Sequence, residues 1–255
     1  MTLALFTIPC LADNYAFVLH NTVTDDCALV DAPEIAPIEA FLDRHSLTLT
    51  DILITHHHYD HVEGVEYFHN RFGARVIGAA ADSHRLPRLH VEVAEGDRLT
   101  ICGEDCTVID VSGHTIGHIA FHFPQSRYAF TADSLMAMGC GRLFEGTPDQ
   151  MWQSLLKLRA LPSDTIICSG HEYTAGNAKF ALTIEPENPD LVARVADITA
   201  ARTEGRPTVP SLLSLEIATN PFLRADLAQV KAAVGMENAS DTAVFAEIRA
   251  RKDRF

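Results

Sequence analysis

Residues 55–61, Thr-His-His-His-Tyr-Asp-His, constrain this chain more than any other stretch. Four candidate metal ligands, His56, His58, Asp60 and His61, fall within six residues. The preceding Ile52-Leu53-Ile54, supported by Thr48-Leu49-Thr50, reads as a buried strand. Ligands that begin where a strand stops lie where α/β folds place their sites, at the strand's carboxyl end. A polar surface loop with incidental histidines does not account for this density after a buried run.

Three more strand-like runs end the same way. Residues 108–111 lead into Ser112-Gly113-His114, residues 129–131 into Ala132-Asp133, and residues 165–168 into Ser169-Gly170-His171. If these ends lie in neighbouring sheets they converge, and that recurrence says more than any single motif. Strand-like runs at 3–8, 15–20 and 27–30, with turn chemistry at Asp13-Asn14, predict a meander. The spacing of Ile38, Phe41 and Leu42 predicts a helix over 37–44, and Val65 with Phe68 another over 62–72. Beyond Tyr173 strand-like runs vanish. Helices are predicted at 175–182, 189–203, 224–234 and 241–251, with 206–211 an extended linker. The expected organisation is an α/β region over 1–172 and a helical region over 173–255.

A chain of 255 residues with 47% hydrophobic content buries a sizeable core. Its net charge of −14 offers no global field to a nucleic acid. The six cysteines form no C-x-x-C pair and are expected as reduced, buried thiols. Residues 1–14 lack the pattern of a signal peptide, and no apolar run approaches the ~20 residues that span a bilayer. These readings predict a cytoplasmic protein, a monomer, with neither membrane nor nucleic acid as partner.

His56, His58, Asp60, His61, His114, Asp133 and His171 are too many ligands for one tetrahedral ion and suit two, with one carboxylate bridging. Imidazole with carboxylate selects zinc, iron or manganese over calcium or magnesium. Two such ions ~3.5–4 Å apart polarise a carbonyl or phosphoryl oxygen and bring the pKa of water from 15.7 to about 7. Hydrolysis then needs no serine or cysteine nucleophile.

The pattern H-x-H-x-D-H with a later His, Asp and His resembles the metallo-β-lactamase superfamily. The resemblance implies a four-layer αβ/βα sandwich. It also implies one metal on His56, His58 and His114, a second on Asp60, His61 and His171, and Asp133 as the bridge. Asp60 and Asp133 are the carboxylates closest to the chemistry in that scheme. Gly139-Cys140-Gly141-Arg142, Glu145-Gly146-Thr147, Gly170-His171-Glu172-Tyr173-Thr174, Thr219-Asn220-Pro221-Phe222-Leu223-Arg224 and the closing Arg249, Lys252, Asp253 and Phe255 narrow the likeness. They look like glyoxalase II, the hydroxyacylglutathione hydrolases, over nearly the whole chain. That family implies two divalent ions, zinc first and iron or manganese as alternatives. It implies hydrolysis of S-D-lactoylglutathione and other 2-hydroxyacyl glutathiones, the second step of methylglyoxal detoxification. The helical region becomes a substrate-binding domain, with Arg142, Phe144, Tyr173, Arg249 and Lys252 as the positions for glutathione. Glutathione is anionic, so local cations must outweigh the acidic overall field.

The chain departs from the family at several points. Val62-Glu63-Gly64 replaces the common Ala/Ile-Gly-Gly. Arg142 stands where Lys is frequent and keeps the charge with fork geometry. Phe144 lacks the hydroxyl of the usual Tyr. His57 is expected to point away from the ligands, and His118 and His122 to support or pack rather than ligate. Three other readings compete: a mono-iron persulfide dioxygenase, a nuclease or phosphodiesterase of the same superfamily, and a non-catalytic metal module. Asp60, His61 and His171 together argue against the first, the −14 charge against the second, and the open ligand set against the third.

Overall fold

The computed structural model describes residues 3–255. Its backbone contacts divide the chain into two compact units, Met1–Asp110 with Ile116–Ala132, and Val111–Thr115 with Asp133–Phe255.

The first unit begins with the predicted meander. Strands β1 (Leu3–Cys10), β2 (Asn14–Asn21) and β3 (Cys27–Val30) pair antiparallel. Helix α1 (Ile35–His45) buries Ile38 and Leu42 and stops at Ser46, which takes the left-handed conformation at φ 55°. Strand β4 (Asp51–Leu53) then lies parallel to β3, with Val30 opposite Leu53. The sheet therefore changes from antiparallel to parallel at β3, and the carboxyl ends of β3 and β4 lie side by side. The ligand stretch leaves β4 here. Its end is not loop but a single helical turn, α2 (Tyr59–Val62), followed by α3 (Val65–Phe72). The expected helix over 62–72 is broken because Gly64 passes close to the preceding segment. A Cβ there would meet Ala32 O at 3.2 Å and Phe68 at 3.1 Å. Strands β5 (Arg75–Ala79) and β6 (Val91–Val93) complete the parallel side. Helices α1 and α3 cover one face through Ile38, Leu42, Val65 and Phe68.

The same unit carries β7 (Arg98–Ile101), β8 (Glu104–Asp110), β9 (Ile119–Phe123) and β10 (Tyr128–Ala132), an antiparallel run. Phe17 of β2 meets Phe130 of β10 edge-on at 5.6 Å, which joins the two sheets through the core.

The second unit holds the short hairpin β11 (Leu135–Met136) and β12 (Gly139–Cys140). Helix α4 (Pro148–Arg159) follows, a helix absent from the sequence reading. Its start was nevertheless written in the chain: Thr147 and Gln150 form a reciprocal capping box with Pro148 at the first position. Strand β13 (Ile166–Ser169) precedes α5 (Thr174–Ile184) and α6 (Pro189–Thr203). The expectation of no strand past Tyr173 fails once, because β14 (Ser211–Leu212) pairs with β13. Two residues carry no periodicity from which to read it. Helices α7 (Leu213–Thr219), α8 (Ala228–Val234) and α9 (Asp241–Arg254) finish the chain. Among the described residues no helix is long and apolar enough to cross a membrane, and all six cysteines are free and buried.

Each of the four sequence runs expected to end in a ligand is a strand: β4, β8, β10 and β13.

Candidate metal centre

The first unit supplies His56, His58, Asp60 and His61 beyond β4. His56 and His61 are fully buried. His56 Nε2 lies 3.1 Å from His58 Nδ1, and His61 Nε2 lies 4.0 Å from Asp60 Oδ2. Asp31, at the end of β3 and 3% exposed, organises this group. Its Oδ1 accepts from the Thr55 amide at 2.9 Å, and its Oδ2 accepts from the Thr55 hydroxyl and from His61 Nδ1, both at 2.8 Å. A carboxylate only accepts, so His61 carries its proton on Nδ1 and presents the Nε2 lone pair. The Thr55 hydroxyl spends its proton on Asp31, so its oxygen accepts from His56 Nδ1 at 3.1 Å. His56 is thereby left with its lone pair on Nε2 as well. One carboxylate sets two imidazole tautomers.

The surrounding bonds fix the backbone of the stretch. Ala32 N donates to His61 O at 2.8 Å, and Ile119 N to Thr55 O at 3.0 Å. Asn14 donates to the Asp60 carbonyl at 3.0 Å and to its Oδ2 at 3.1 Å. His57 turns the other way, as expected, and bonds through Nδ1 to the buried Asp82 at 2.9 Å. His118 stacks on His56 with centroids 4.5 Å apart and planes 10° apart. In the sequence Asn14 reads only as turn chemistry, and Asp31 and Asp82 carry no signal of their own. The fold alone brings Asp31 and Asn14 to the candidate ligands and Asp82 to His57.

The second unit supplies His114, Asp133 and His171. His114 Nε2 lies 3.5 Å from Asp133 Oδ2, and His171 Nε2 lies 3.3 Å from the same oxygen. His114 Nδ1 donates to the Arg142 carbonyl at 2.8 Å, so its Nε2 lone pair faces the carboxylate. Gly141 allows this approach: a Cβ there would lie 2.1 Å from Asp133 O and 2.8 Å from His114 Nδ1. His171 stacks on Tyr173 at 4.6 Å with planes 8° apart.

These residues fit a metal by their chemistry. In each unit an imidazole lone pair faces a carboxylate oxygen, an arrangement of two acceptors that a cation between them relieves. Bonds of about 2.0–2.1 Å at near-tetrahedral angles separate ligand atoms by about 3.3–3.4 Å. The separations of 3.1, 3.3 and 3.5 Å bracket that value; the Asp60–His61 pair at 4.0 Å is wider.

The positions expected to meet substrate fall in the second unit. Arg142 is largely exposed and lies 3.7 Å from Asp253. Phe144 is 63% exposed and meets the His114 ring edge-on at 5.2 Å. Arg249 is buried: it donates to the Cys140 carbonyl at 2.9 Å and to Asp253 at 2.8 Å, and lies over the Phe222 ring. The Lys252 amine lies between the rings of Phe180 and Phe255, 5.4 and 5.2 Å from their centroids. Burial and the two arginines push its pKa below the usual lysine value, against the opposing pull of Asp253. The Cys140 thiol is pushed up to about 11 by burial, with Arg249 pulling the other way, and is no nucleophile at neutral pH.

The model of the metallo-β-lactamase superfamily matches residues 15–171, and that of the hydroxyacylglutathione hydrolase C-terminus matches residues 172–255. The crystal structure of BLEG-1 B3 metallo-β-lactamase superposes with a TM-score of 0.67 at 21% identity, covering 86% of this chain and 99% of that one. The chain belongs to the metallo-β-lactamase superfamily, with its α/β fold and a C-terminal helical region. It is 65% identical to a hydroxyacylglutathione hydrolase of Cereibacter sphaeroides and 59% identical to one of Ruegeria pomeroyi, each over the full length of both chains. Within the superfamily it is therefore a member of the hydroxyacylglutathione hydrolase family, a metal-dependent hydrolase.

Proposed function

We propose that this chain hydrolyses S-D-lactoylglutathione and related 2-hydroxyacyl glutathiones, in the cytoplasm and as a monomer, with two zinc ions. The observation that carries the reading is the ligand set itself: seven side chains of the right types, with lone pairs turned toward carboxylates by fixed hydrogen bonds. His56, His58 and His114 would hold one ion, Asp60, His61 and His171 the other, and Asp133 both. When bound, the ions supply Lewis acidity, polarising the thioester carbonyl and bringing the attacking water near ionisation at neutral pH.

The chain's own residues do the rest. Asp31 and the Arg142 carbonyl keep three imidazoles in the ligating tautomer. Asn14 holds the Asp60 carboxylate in place. Arg142, Arg249 and Lys252, offset by Asp253, leave a net positive cluster for the glutathione carboxylates. Phe144 offers an apolar face and no hydroxyl, and Tyr173 an aromatic wall stacked on His171. Hydrolysis forms the acyl C–O bond, breaks the C–S bond and releases glutathione and D-lactate.

Purified protein of measured metal content tests this directly. Turnover of S-D-lactoylglutathione is expected to scale with two metals per chain and to vanish with a chelator. Asp133→Ala should lose metal, and kcat should fall at least about a hundredfold, as when a charge-stabilising group is removed. Near-normal activity in that variant would sink the mechanism, and a fully metallated wild type without turnover would sink the substrate.

A further inference from the structure

The hairpin β11–β12 of the second unit has little with which to hold itself. Its pairing is only Leu135 with Cys140 and Met136 with Gly139. Its turn places Met138 in the left-handed region at φ 61°. A ribbon this short is at best marginally stable alone. Yet it connects two residues of the site, starting two positions after Asp133 and ending two before Arg142.

Every residue from 136 to 140 has a backbone group bonded to a side chain of the helical segment. Asn220 Nδ2 donates to Met136 O at 3.2 Å and Gly139 O at 3.0 Å. Asn177 Nδ2 donates to Ala137 O at 3.1 Å. Met138 N donates to Glu216 Oε2 at 2.8 Å, and Arg249 donates to Cys140 O at 2.9 Å. Glu216 and Asn220 are fully buried, and Asn177 is 7% exposed. A buried carboxylate is costly unless its oxygens are all satisfied. Glu216 Oε1 accepts from Ser211 at 2.7 Å and from Arg194, and Oε2 accepts from Met138 N and from Asn220 at 3.2 Å. Arg194 is anchored in turn on Thr219 at 2.7 Å. Gly139 belongs to the same arrangement, since a Cβ there would lie 2.5 Å from Asn177.

We propose that Asn177, Glu216 and Asn220 are positioning residues for the reaction: they clasp residues 136–140 and thereby fix Asp133 for the metals and Arg142 for the substrate carboxylate together. The inference rests on the metal-dependent thioesterase reading and goes beyond it. The helical segment then does two things, binding glutathione directly and setting the loop that carries a metal ligand. A displacement of the hairpin moves both ends, so metal affinity and KM shift jointly. A role confined to stability would lower the melting temperature and leave both unchanged.

The test uses the full chain with Asn220→Ala and, separately, Asn177→Ala, which removes a single hairpin bond and spares the Glu216–Arg194 pair. Metal-free protein is titrated with zinc alone, KM and kcat are measured for S-D-lactoylglutathione, and folding is followed by melting. Asn220→Ala is expected to weaken zinc about tenfold, the lower end of what supporting residues around a metal contribute, and to raise KM several-fold. Asn177→Ala should move both in the same direction by about threefold, and it decides the matter if Asn220→Ala does not fold. A folded variant that binds zinc and substrate as the wild type does overturns the clasp. If the wild type itself takes up no zinc, the thioesterase reading fails instead. Amide exchange at residues 136–140 then decides the clasp: faster exchange in Asn177→Ala supports it, and equal exchange overturns it.

Discussion

The two groups of candidate ligands are held in different ways. In the first unit four of them occupy one hexapeptide after one strand, and a single carboxylate, Asp31, sets the tautomers of two. In the second unit His114, Asp133 and His171 come one at a time from three separated segments. Each is secured by something different: a backbone carbonyl, a missing Cβ, an aromatic stack. Concentrated ligands need one strong organiser. Dispersed ligands need clearance and long-range support, so they should be sensitive to changes that add volume without touching a ligand.

The largest effect expected from that difference is at Gly141. Gly141→Ala puts a methyl group 2.1 Å from the Asp133 carbonyl oxygen and 2.8 Å from His114 Nδ1. Backbone and ring must both give way, displacing two ligands at once. Overpacking of this kind costs about 1–3 kcal/mol in stability. The loss of activity should be greater, about a hundredfold or more, because both groups are proposed metal ligands. Gly64→Ala, at the start of α3, meets its nearest neighbours at 3.1–3.3 Å and should be far milder. Equal losses in the two variants, by kcat/KM and zinc content, would break the comparison.

Asp31→Asn probes the other side. The amide keeps the shape but replaces one of two acceptor oxygens by an NH2, which meets either the Thr55 amide or the pair formed by the Thr55 hydroxyl and His61 Nδ1, all of them donors. In the first orientation the stretch loses a backbone anchor; in the second His61 loses its fixed tautomer, and His56 loses its own through Thr55. Supporting partners of ligating histidines are worth about 10–100-fold in metal affinity. A zinc titration of the metal-free variant should fall in that range. Tight, unchanged binding would show that Asp31 serves only the backbone.

The same contrast explains what the chain disclosed before folding. A dense ligand stretch after an apolar run is a local signal, and residues 52–61 could be read from it. Strands β4, β8, β10 and β13 were legible for the same reason, as short apolar runs ended by His, Asp or Gly. Asp31 directly follows the strand-like run over 27–30 and carries no signal of its own. Its role depends on β3 lying parallel to β4, a pairing that no local pattern encodes. Glu216 and Asn220 lie between the predicted linker over 206–211 and the predicted helix over 224–234, where the sequence reading places no element, although Glu216 belongs to helix α7. Their partners are about 80 residues away in sequence, at Met136, Met138 and Gly139. Helix α4 is marked at its start by Thr147-Pro148 and Gln150, a capping signal that no strand-ending ligand accompanies.

The smallest effect is one of pH, and it sharpens the view of the cation cluster. Burial, then Arg249 and Arg142, depress the pKa of Lys252, below the ordinary lysine value of about 10.4. In its proposed role, Lys252 binds a glutathione carboxylate as the ammonium. kcat/KM reports groups of the free enzyme, so it should decline as pH rises through this depressed value, earlier than an ordinary lysine would allow. Lys252→Arg, charged at every accessible pH, should remove that alkaline limb and keep KM within a few-fold of the wild type at neutral pH. Lys252→Ala should raise KM about tenfold, the scale of one hydrogen bond to a charged group, with kcat little changed. Stability moves the opposite way from binding. The partly buried ammonium is a cost carried in full below the folded pKa and relieved as pH rises through it. A wild type that loses affinity and gains stability over the same alkaline interval, with neither change in Lys252→Arg, would tie both to this one amine. An alkaline limb that persists in Lys252→Arg would assign it to another group and leave Arg142 and Arg249 as the cations that bind substrate.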